Sequence, residues 1–526
     1  MNIYFIGIIL VFVMYIWISY LISKRVTNIN DFYVAGRNTP AYLITGSLVA
    51  SFIGVGLFMG DVGEAYSGLF SPIIVAVGVM SVGYILGSVF FGRYLRRSEV
   101  LTIPEYFGKR FDSPALQNLS TITGTFIMLV YSLSTVQGVS VLMSNVANID
   151  YNKCIIIAVA VFTLITVFSG AKGVLITDTI MFGVFSVSTI IGIVFVAKEA
   201  GGWFTAVESM AQYDPVPGIL SWSGSLDYFY ATGKDNMIWA LGYGIAWMSV
   251  LMIAPWQSSR YLMAKNEHAV IRSSILASAS VFIIEFLMCM AGVFVQKINS
   301  GMEHPSHALI WASMNAMPAI LGIIVLSGVL AAGISSATTF LSLICSSIAN
   351  DILRLRNKKH SLAYGRIIVV IVGILIGTIC IYNPPRIFWI TYLGATIVSC
   401  SWFPVCIASV WSKRVTKAGA FWSMLLGFIT SSILKIYTGL KNITPPIFLD
   451  PFFIGLFVSI ISLILVSAVT KVTSEEREQR EKLFVMPDHE RDPVDIRKTK
   501  ISIAIDRKST RLNSSHRCTS RMPSSA

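Results

Sequence analysis

Charged side chains are scarce in this chain of 526 residues: Asp, Glu, Lys and Arg make up 13% of it, whereas 55% is hydrophobic. So little charge cannot cover the surface of a water-soluble protein of this length, which excludes a soluble class. Apolar runs of about 20 residues, the length that crosses a bilayer as a helix, recur along the sequence. The composition therefore predicts an all-α integral membrane protein whose main surroundings are the lipid bilayer.

Other features that the sequence lacks exclude further kinds of protein. No regular alternation of polar and apolar residues is found, which disfavours a transmembrane β-barrel. The basic residues are spread over many loops without an aromatic-basic platform, so the formal net charge of +13 gives no reason to expect a nucleic-acid partner. The seven cysteines mostly lie within apolar runs and lack metal-ligand spacing. No catalytic constellation and no sign of an obligate protein partner is found, so the sequence predicts a protein that is not an enzyme.

Thirteen apolar runs are candidate transmembrane helices. They cover residues 3–22, 41–66, 72–95, 117–146, 154–170, 174–197, 236–256, 273–296, 318–348, 365–383, 387–411, 418–436 and 451–470. The first run lacks a basic leader and a small-residue cleavage site, so we interpret it as a retained helix and not as a signal peptide.

The basic residues indicate how the spans are oriented. One set of alternate connections carries 20 Lys and Arg residues and the other carries seven. Because cytoplasmic loops are enriched in Lys and Arg, the first set is predicted to be cytoplasmic. The N-terminus is then outside the cell membrane and the C-terminus is cytoplasmic, as an odd number of spans requires.

Two of the spans contain helix breakers at their centres. The second span has four glycines between residues 54 and 63, and the seventh carries Gly242, Gly244 and Pro255. Such glycines either allow close helix packing or break the helix, and broken helices with free carbonyls form ion and substrate sites in many transporters. Breaks five spans apart lie on helices of opposite orientation, so they predict two inverted five-helix repeats and favour a transporter.

This pattern predicts six segments. They are an extra N-terminal transmembrane helix (1–22), a first repeat (40–200), a second repeat (236–411), two C-terminal transmembrane helices (418–470), a cytoplasmic tail (471–505) and a final stretch (506–526). The final stretch changes composition abruptly, and we interpret it as non-native sequence or, alternatively, as a disordered basic tail.

A cluster of hydroxyls lies in the middle of the ninth span, at Ser335, Ser336, Thr338 and Thr339. Lipid offers no hydrogen bonds, so these groups should face protein, water or an ion. Two interpretations are open. The hydroxyls either bond back to carbonyls of their own helix and ease packing, or they replace part of the hydration shell of a small cation.

Few ionisable residues lie inside the spans, and each is a functional candidate. Asp178 is either a carboxylate that attracts a cation leaving a central site or one favoured by the start of its helix. Glu285 is either a structural hydrogen-bonding group or the partner of a substrate amine, and we favour the structural role. Asp61, which follows the first set of glycines, is expected to be solvated.

Several motifs together resemble the sodium:solute symporter family, which includes proline, pantothenate, sugar, iodide and monocarboxylate carriers. They lie at Asp31–Arg37, Leu101–Phe111, Lys172–Asp178, Arg260–Asn266 and Gly328–Ser336, in the order and spacing of the family. The resemblance covers residues 20–470. It implies the LeuT-like five-plus-five fold, with one helix before the core and two after it.

The resemblance also implies a site for a co-transported sodium ion. Its ligands would be the backbone carbonyls of Ala50, Ile53 and Ala332 and the hydroxyls of Ser335 and Ser336. A hard monovalent cation prefers neutral oxygens of this kind. By the same resemblance, Asp178 would lie on the sodium exit path.

The sequence thus predicts sodium-coupled symport of a small organic solute into the cell, with a carboxylate, an amino acid or a pantothenate-like compound as the expected solute. Candidate solute contacts near the two breaks are Phe58, Met59, Trp247 and Leu251, for which packing in the bundle is the alternative. Two other functions stay open. A proton-coupled permease of the same fold would rely on Glu285, and a membrane solute sensor would need a signalling domain after residue 470.

Overall fold

The computed structural model describes residues 3–23, 34–226, 232–353, 361–383, 387–441, 443, 445–487 and 493–500; the side chains of 169–172, 361, 362, 388 and 447 are outside that description. The predicted final stretch 506–526 also lies outside the described residues. Within them the chain is helical, and the single β-bridge joins Thr39 and Ala264.

Residues Gly56–Asp61, Val62–Glu64 and Ala65–Leu69 form short consecutive helical turns. Eighteen further α-helices are numbered in chain order. They are α1 Ile3–Ser23, α2 Ala41–Phe52, α3 Phe70–Gly87, α4 Arg93–Arg97, α5 Ile103–Arg110, α6 Pro114–Ala147, α7 Tyr151–Glu199, α8 Trp203–Met210, α9 Gly233–Ile253, α10 Pro255–Met263, α11 Glu267–Ile298, α12 Ala308–Asn315, α13 Ala319–Ser347, α14 Ser361–Tyr382, α15 Ile387–Trp411, α16 Lys417–Leu440, α17 Pro451–Val469 and α18 Ser474–Lys482.

Twelve helical stretches in the described chain are long and apolar enough to cross a membrane, against the thirteen spans predicted from sequence. The difference comes from the predicted span 41–66. Its first part is the short helix α2, and its second part continues into the stretch Gly56–Arg97 of 42 residues. A straight helix of that length would extend about 63 Å, twice the thickness of a bilayer core.

A turn at Gly68 divides this long stretch. Its φ of 119° lies in the left-handed region that favours glycine, and a Cβ there would meet the Ser225 side chain at 2.7 Å. Residues 55–67 therefore pair naturally with α2 as one interrupted crossing, and α3 begins the next. This division restores thirteen crossings.

Helix α7 differs from the sequence-based expectation in another way. The predicted spans 154–170 and 174–197 belong to one helix, Tyr151–Glu199, which contains two candidate crossings, Tyr151–Phe168 and Gly173–Glu199. Glycine is tolerated inside a helix at modest cost, so the glycines near residue 170 did not by themselves determine a loop.

The bundle surrounds the two interrupted helices. Helix α13 packs against α6, α7 and α2, and α9 packs against α3 and α15. Helices α16 and α17 pair with each other and with α15. Many lipid-facing positions of α1, α14 and α17 are exposed apolar residues, as expected at the edge of a membrane bundle.

The segment that follows α17 returns to the helical bundle. Thr473 and Glu476 form a capping box at the start of α18, and the Glu476 carboxylate also accepts the Lys417 backbone N–H at 2.6 Å. Arg110 donates to the Glu476 carbonyl at 2.9 Å and to the Ser409 carbonyl at 2.7 Å. This tail is therefore tied to loops at one end of the bundle.

Candidate ion and solute site

The first break exposes backbone carbonyls beside a buried helix. Helix α2 ends at Phe52, and Ile53 adopts an extended conformation with φ −66° and ψ 100°. The Leu57 and Phe58 N–H groups both donate to the Gly54 carbonyl, at 3.2 and 3.4 Å. Among the described backbone hydrogen bonds, the carbonyls of Ala50 and Ile53 accept none. Buried carbonyls without such partners are suited to coordinating a cation.

Ser336 of α13 lies directly against this break. A Cβ at Gly54 would stand 3.1 Å from its Oγ, so a glycine at position 54 permits the close approach. Ser336 is 3% exposed, and its hydroxyl has no hydrogen-bond partner in the described part of the chain. A buried hydroxyl without a partner costs free energy, and a bound ion would supply the missing interaction.

The neighbouring Ser335 is held by a buried charge network. Its hydroxyl donates to Asp178 Oδ1 at 2.7 Å, while Asp178 Oδ2 accepts from Ser47 at 2.7 Å and from Arg260 at 2.9 Å. Arg260 also donates to Ser47 at 2.9 Å and to Thr339 at 2.7 Å. These contacts connect α2, α7, α10 and α13 around one neutralised ion pair.

The network also orients the Ser335 hydroxyl. Because its proton is directed at Asp178, the lone pairs of its Oγ are free to face a cation. The third predicted carbonyl, that of Ala332, lies one turn earlier on α13, and this residue is fully buried. No cluster of three or more His, Cys, Asp or Glu ligands is found among the described residues, so a metal ion would depend here on neutral oxygens.

A cavity of about 60 Å³ adjoins the break. Its lining comes from both interrupted helices and from α3, α6, α11, α13 and α15. The lining residues are Ser51, Phe52, Gly54, Val55, Gly56, Leu57, Asp61, Met80, Tyr131, Ser134, Thr135, Tyr243, Trp247, Trp256, Glu285, Ser336, Phe340 and Thr391. The mixed apolar and polar lining is typical of a small-molecule site.

Of the four predicted solute contacts, one lines the cavity and three do not. Trp247 lines the cavity, and its ring lies 5.6 Å from that of Phe52. Phe58, Met59 and Leu251 are buried and do not belong to the described lining. Phe58 faces Phe185 of α7 at 6.4 Å between ring centroids, which is a packing contact inside the bundle.

Three ionisable residues acquire positions that the sequence did not predict. Asp61, expected to be solvated, is 8% exposed and lines the cavity; Glu285, for which a structural role was favoured, is 1% exposed and lines it too. Arg260, counted among the loop cations, is 2% exposed and paired with Asp178. No local sequence signal identified this pairing, because the two residues are 82 positions apart.

Comparisons with known proteins agree with this geometry. A model of the sodium:solute symporter family matches residues 32–427. The osmoregulated proline transporter OpuE of Bacillus subtilis is 24% identical over 498 residues, which cover 90% of this chain and 94% of the relative. The sodium/proline symporter of Escherichia coli is 22% identical, covering 88% and 93%. Mouse sodium/glucose cotransporter 1 is 26% identical, covering 80% and 69%.

Solved structures share the fold. A sodium-coupled sialic acid symporter in a substrate-bound outward-open state superposes with a TM-score of 0.73 at 17% identity, covering 90% of this chain and 99% of that one. Mhp1, a nucleobase-cation-symport-1 family transporter, gives a TM-score of 0.57 at 12% identity, covering 87% and 100%. The likeness shows that the chain shares the fold of these structures.

Proposed function

Because the chain belongs to the sodium:solute symporter family, we propose that it carries a small organic solute into the cell together with sodium, by alternating access around a mid-membrane site. An interior-negative potential supplies about 2.3 kcal/mol per 100 mV for each charge that enters. That energy can drive uphill entry of the solute.

The observation that carries the proposal is the unpartnered Ser336 hydroxyl beside the broken helix. The proposed sodium ligands are the carbonyls of Ala50, Ile53 and Ala332 and the hydroxyls of Ser335 and Ser336. In the proposed mechanism the ion joins α2 to α13, so that sodium binding stabilises one arrangement of these helices for the solute. Asp178 would receive the departing ion if Arg260 moved away from it.

The solute would occupy the cavity between the two interrupted helices. Trp247 is the predicted contact that the geometry supports, whereas Phe58, Met59 and Leu251 are better placed to hold neighbouring helices. The cavity offers no basic side chain among its described lining residues. Of the expected solutes, an amino acid with a protonated amine fits this lining better than a plain carboxylate or a pantothenate-like anion.

We propose the cell membrane as the location, with the N-terminus outside and the C-terminus cytoplasmic. The tail supports this orientation because it contacts connections that belong to the basic set. Arg97 donates to the Leu483 carbonyl at 2.9 Å, and Asp495 accepts from Arg272 at 2.8 Å. The repeats at 40–200 and 236–411 are proposed as the two halves that move against each other.

A proton-coupled permease is the second candidate. Glu285 favours it, since this buried carboxylate lines the cavity and its Oε2 has no partner in the described chain. Such a carboxylate can take up and release a proton as its surroundings change. The coupling ion therefore has to be tested directly.

Uptake into proteoliposomes, with either a sodium or a proton gradient imposed and a panel of solutes, tests the proposal. Wild-type protein should accumulate solute under the sodium gradient alone. Ser336→Ala should raise the half-saturating sodium concentration about tenfold, as expected for one lost ion ligand.

The matched control is Ser346→Ala. Ser346 is a buried serine on the same helix whose hydroxyl donates to the Ser342 carbonyl at 2.9 Å, so its loss should leave sodium dependence unchanged. Uptake that is independent of sodium and unaffected by Ser336→Ala would contradict sodium coupling. A proton gradient that drives uptake in wild type but not in Glu285→Gln would support the permease instead.

A further inference from the structure

The cavity carries two acidic side chains that the sodium site does not use. Asp61 lies in the second half of the first interrupted helix, and Glu285 lies on α11. They are 8% and 1% exposed. Both carboxylates therefore face the same enclosed space, in a setting where like charges repel strongly.

Among the described residues, neither carboxylate has a basic partner of the kind that neutralises Asp178. Asp61 Oδ1 accepts a long hydrogen bond, 3.4 Å, from the Tyr243 hydroxyl. Glu285 Oε2 has no hydrogen-bond partner in the part of the chain that the structure describes. No Lys, Arg or His belongs to the described lining of the cavity. The described lining of the cavity thus offers hydrogen-bond acceptors and no positively charged side chain.

Aromatic rings form a continuous wall beside these acids. Trp247 lies 5.6 Å from Phe52, 6.2 Å from Tyr131 and 6.2 Å from Tyr243, measured between ring centroids. Tyr131 also lies 4.5 Å from Trp256. All five rings line the cavity. Ring faces attract organic cations and accommodate their apolar carbons. The aromatic wall and the two acids therefore favour the same kind of ligand, an organic cation.

We propose that the transported solute bears a protonated amine or quaternary ammonium group, which Asp61 and Glu285 bind against the Trp247 side of the cavity. This inference rests on the proposed transport function and names the substrate class of the same site. The bound charge offsets the repulsion between the carboxylates and occupies the unpartnered oxygen of Glu285. An anionic solute without an amine would bring negative charge next to these acids and offer them no N–H donor, so it is disfavoured.

The test uses the full chain in proteoliposomes under a sodium gradient. The probes are choline and putrescine as cations, proline as a zwitterion, pantothenate as an anion and glucose as a neutral solute. Binding of each probe is measured in parallel by the shift in melting temperature of the purified protein. Choline, putrescine or proline should be bound and taken up, and pantothenate and glucose should not. Transport of proline alone would assign the amine to a zwitterion, and transport of the amines would assign it to a cation.

Variants of the two acids test which side chains bind the amine. Glu285→Gln keeps the shape of the side chain and should raise the half-saturating concentration of the amine-bearing probe at least about tenfold. Asp61→Asn should act in the same direction. Glu303→Gln, which changes an exposed carboxylate, is the matched control and should have no effect.

Sodium-driven uptake of pantothenate or glucose that amines do not inhibit, and that Glu285→Gln leaves unchanged, would overturn the substrate class while the transport function stood. If no probe is carried with sodium, the melting shifts still decide the inference: a shift with an amine-bearing probe that Glu285→Gln abolishes supports it. Shifts with none of the amine-bearing probes overturn it.

Discussion

Two groups of buried acids lie in the same bundle and have opposite surroundings. Asp178 is held by an arginine and two serines, so its charge is neutralised inside the protein. Asp61 and Glu285 face a cavity whose described lining contains no basic side chain. Burying a charge is costly unless it is paired, and the charge of the first group is paired within the bundle. The second group is left to interact with whatever enters the cavity.

The difference also separates the two bound species of the proposed cycle. Sodium is assigned to neutral oxygens next to the paired Asp178, and the solute to the unpaired acids and aromatic rings. Ser335 connects Asp178 with the proposed ion site, because its hydroxyl donates to Asp178 while its lone pairs stay available for an ion. Changes in either group should therefore affect different properties of the protein.

The largest expected effect on stability comes from breaking the ion pair between Arg260 and Asp178. Arg260→Ala leaves Asp178 buried without its counter-charge, which should cost about 3–5 kcal/mol of folding free energy. Melting of the purified protein in detergent should shift to clearly lower temperature. The double variant Asp178→Asn with Arg260→Gln removes both charges and should recover most of the loss. A single variant as stable as wild type would show that the pair is not essential to the bundle.

A smaller effect of opposite sign is expected in the cavity. Glu285→Gln removes a buried carboxylate that has no basic neighbour in the described lining, so the melting temperature should stay constant or rise. The free energy of unfolding should increase by no more than about 1 kcal/mol. The same melting assay without solute provides the measurement. A strong loss of stability would mean that Glu285 is a structural group, as first expected from the sequence.

The smallest effect concerns a carboxylate outside the membrane-spanning segments. Burial opposes ionisation of Asp495, but hydrogen bonds from Arg272 and Asn266 and nearby charges outweigh it and hold the pKa of Asp495 below its ordinary value. Because the folded pKa is depressed, the contact is fully present above the ordinary aspartate pKa and is lost as the pH falls through the lower pKa of the folded protein. Limited proteolysis of residues 493–500 should detect the release.

Asp495→Asn should give the same release at neutral pH. The effect should be weaker than that of Arg260→Ala, since charge pairs near solvent contribute little to stability. Unchanged protection in Asp495→Asn, at neutral and at acid pH, would show that other contacts hold the segment.

The fold could be predicted well from the sequence because the features that determine the spans and the breaks are local. Apolar runs of bilayer length, the glycines near residue 54 and Pro255 act on their own segments, and they identified the spans and both breaks. The Arg260–Asp178 pair joins residues 82 apart and depends on how α7 packs against α10. The burial of Asp61 likewise depends on neighbouring helices. Composition and spacing do not contain that information.

Sodium-specific thermal stabilisation tests the central claim most directly, because it needs no solute. Purified wild type, Ser336→Ala and Glu285→Gln are melted in NaCl and in equal concentrations of KCl. The account predicts that sodium, at a concentration near the half-saturation of wild type, raises the melting temperature of wild type and Glu285→Gln alike and raises that of Ser336→Ala much less. Loss of the sodium effect in Glu285→Gln with its retention in Ser336→Ala would contradict the account, since it would place the ion at the cavity carboxylate.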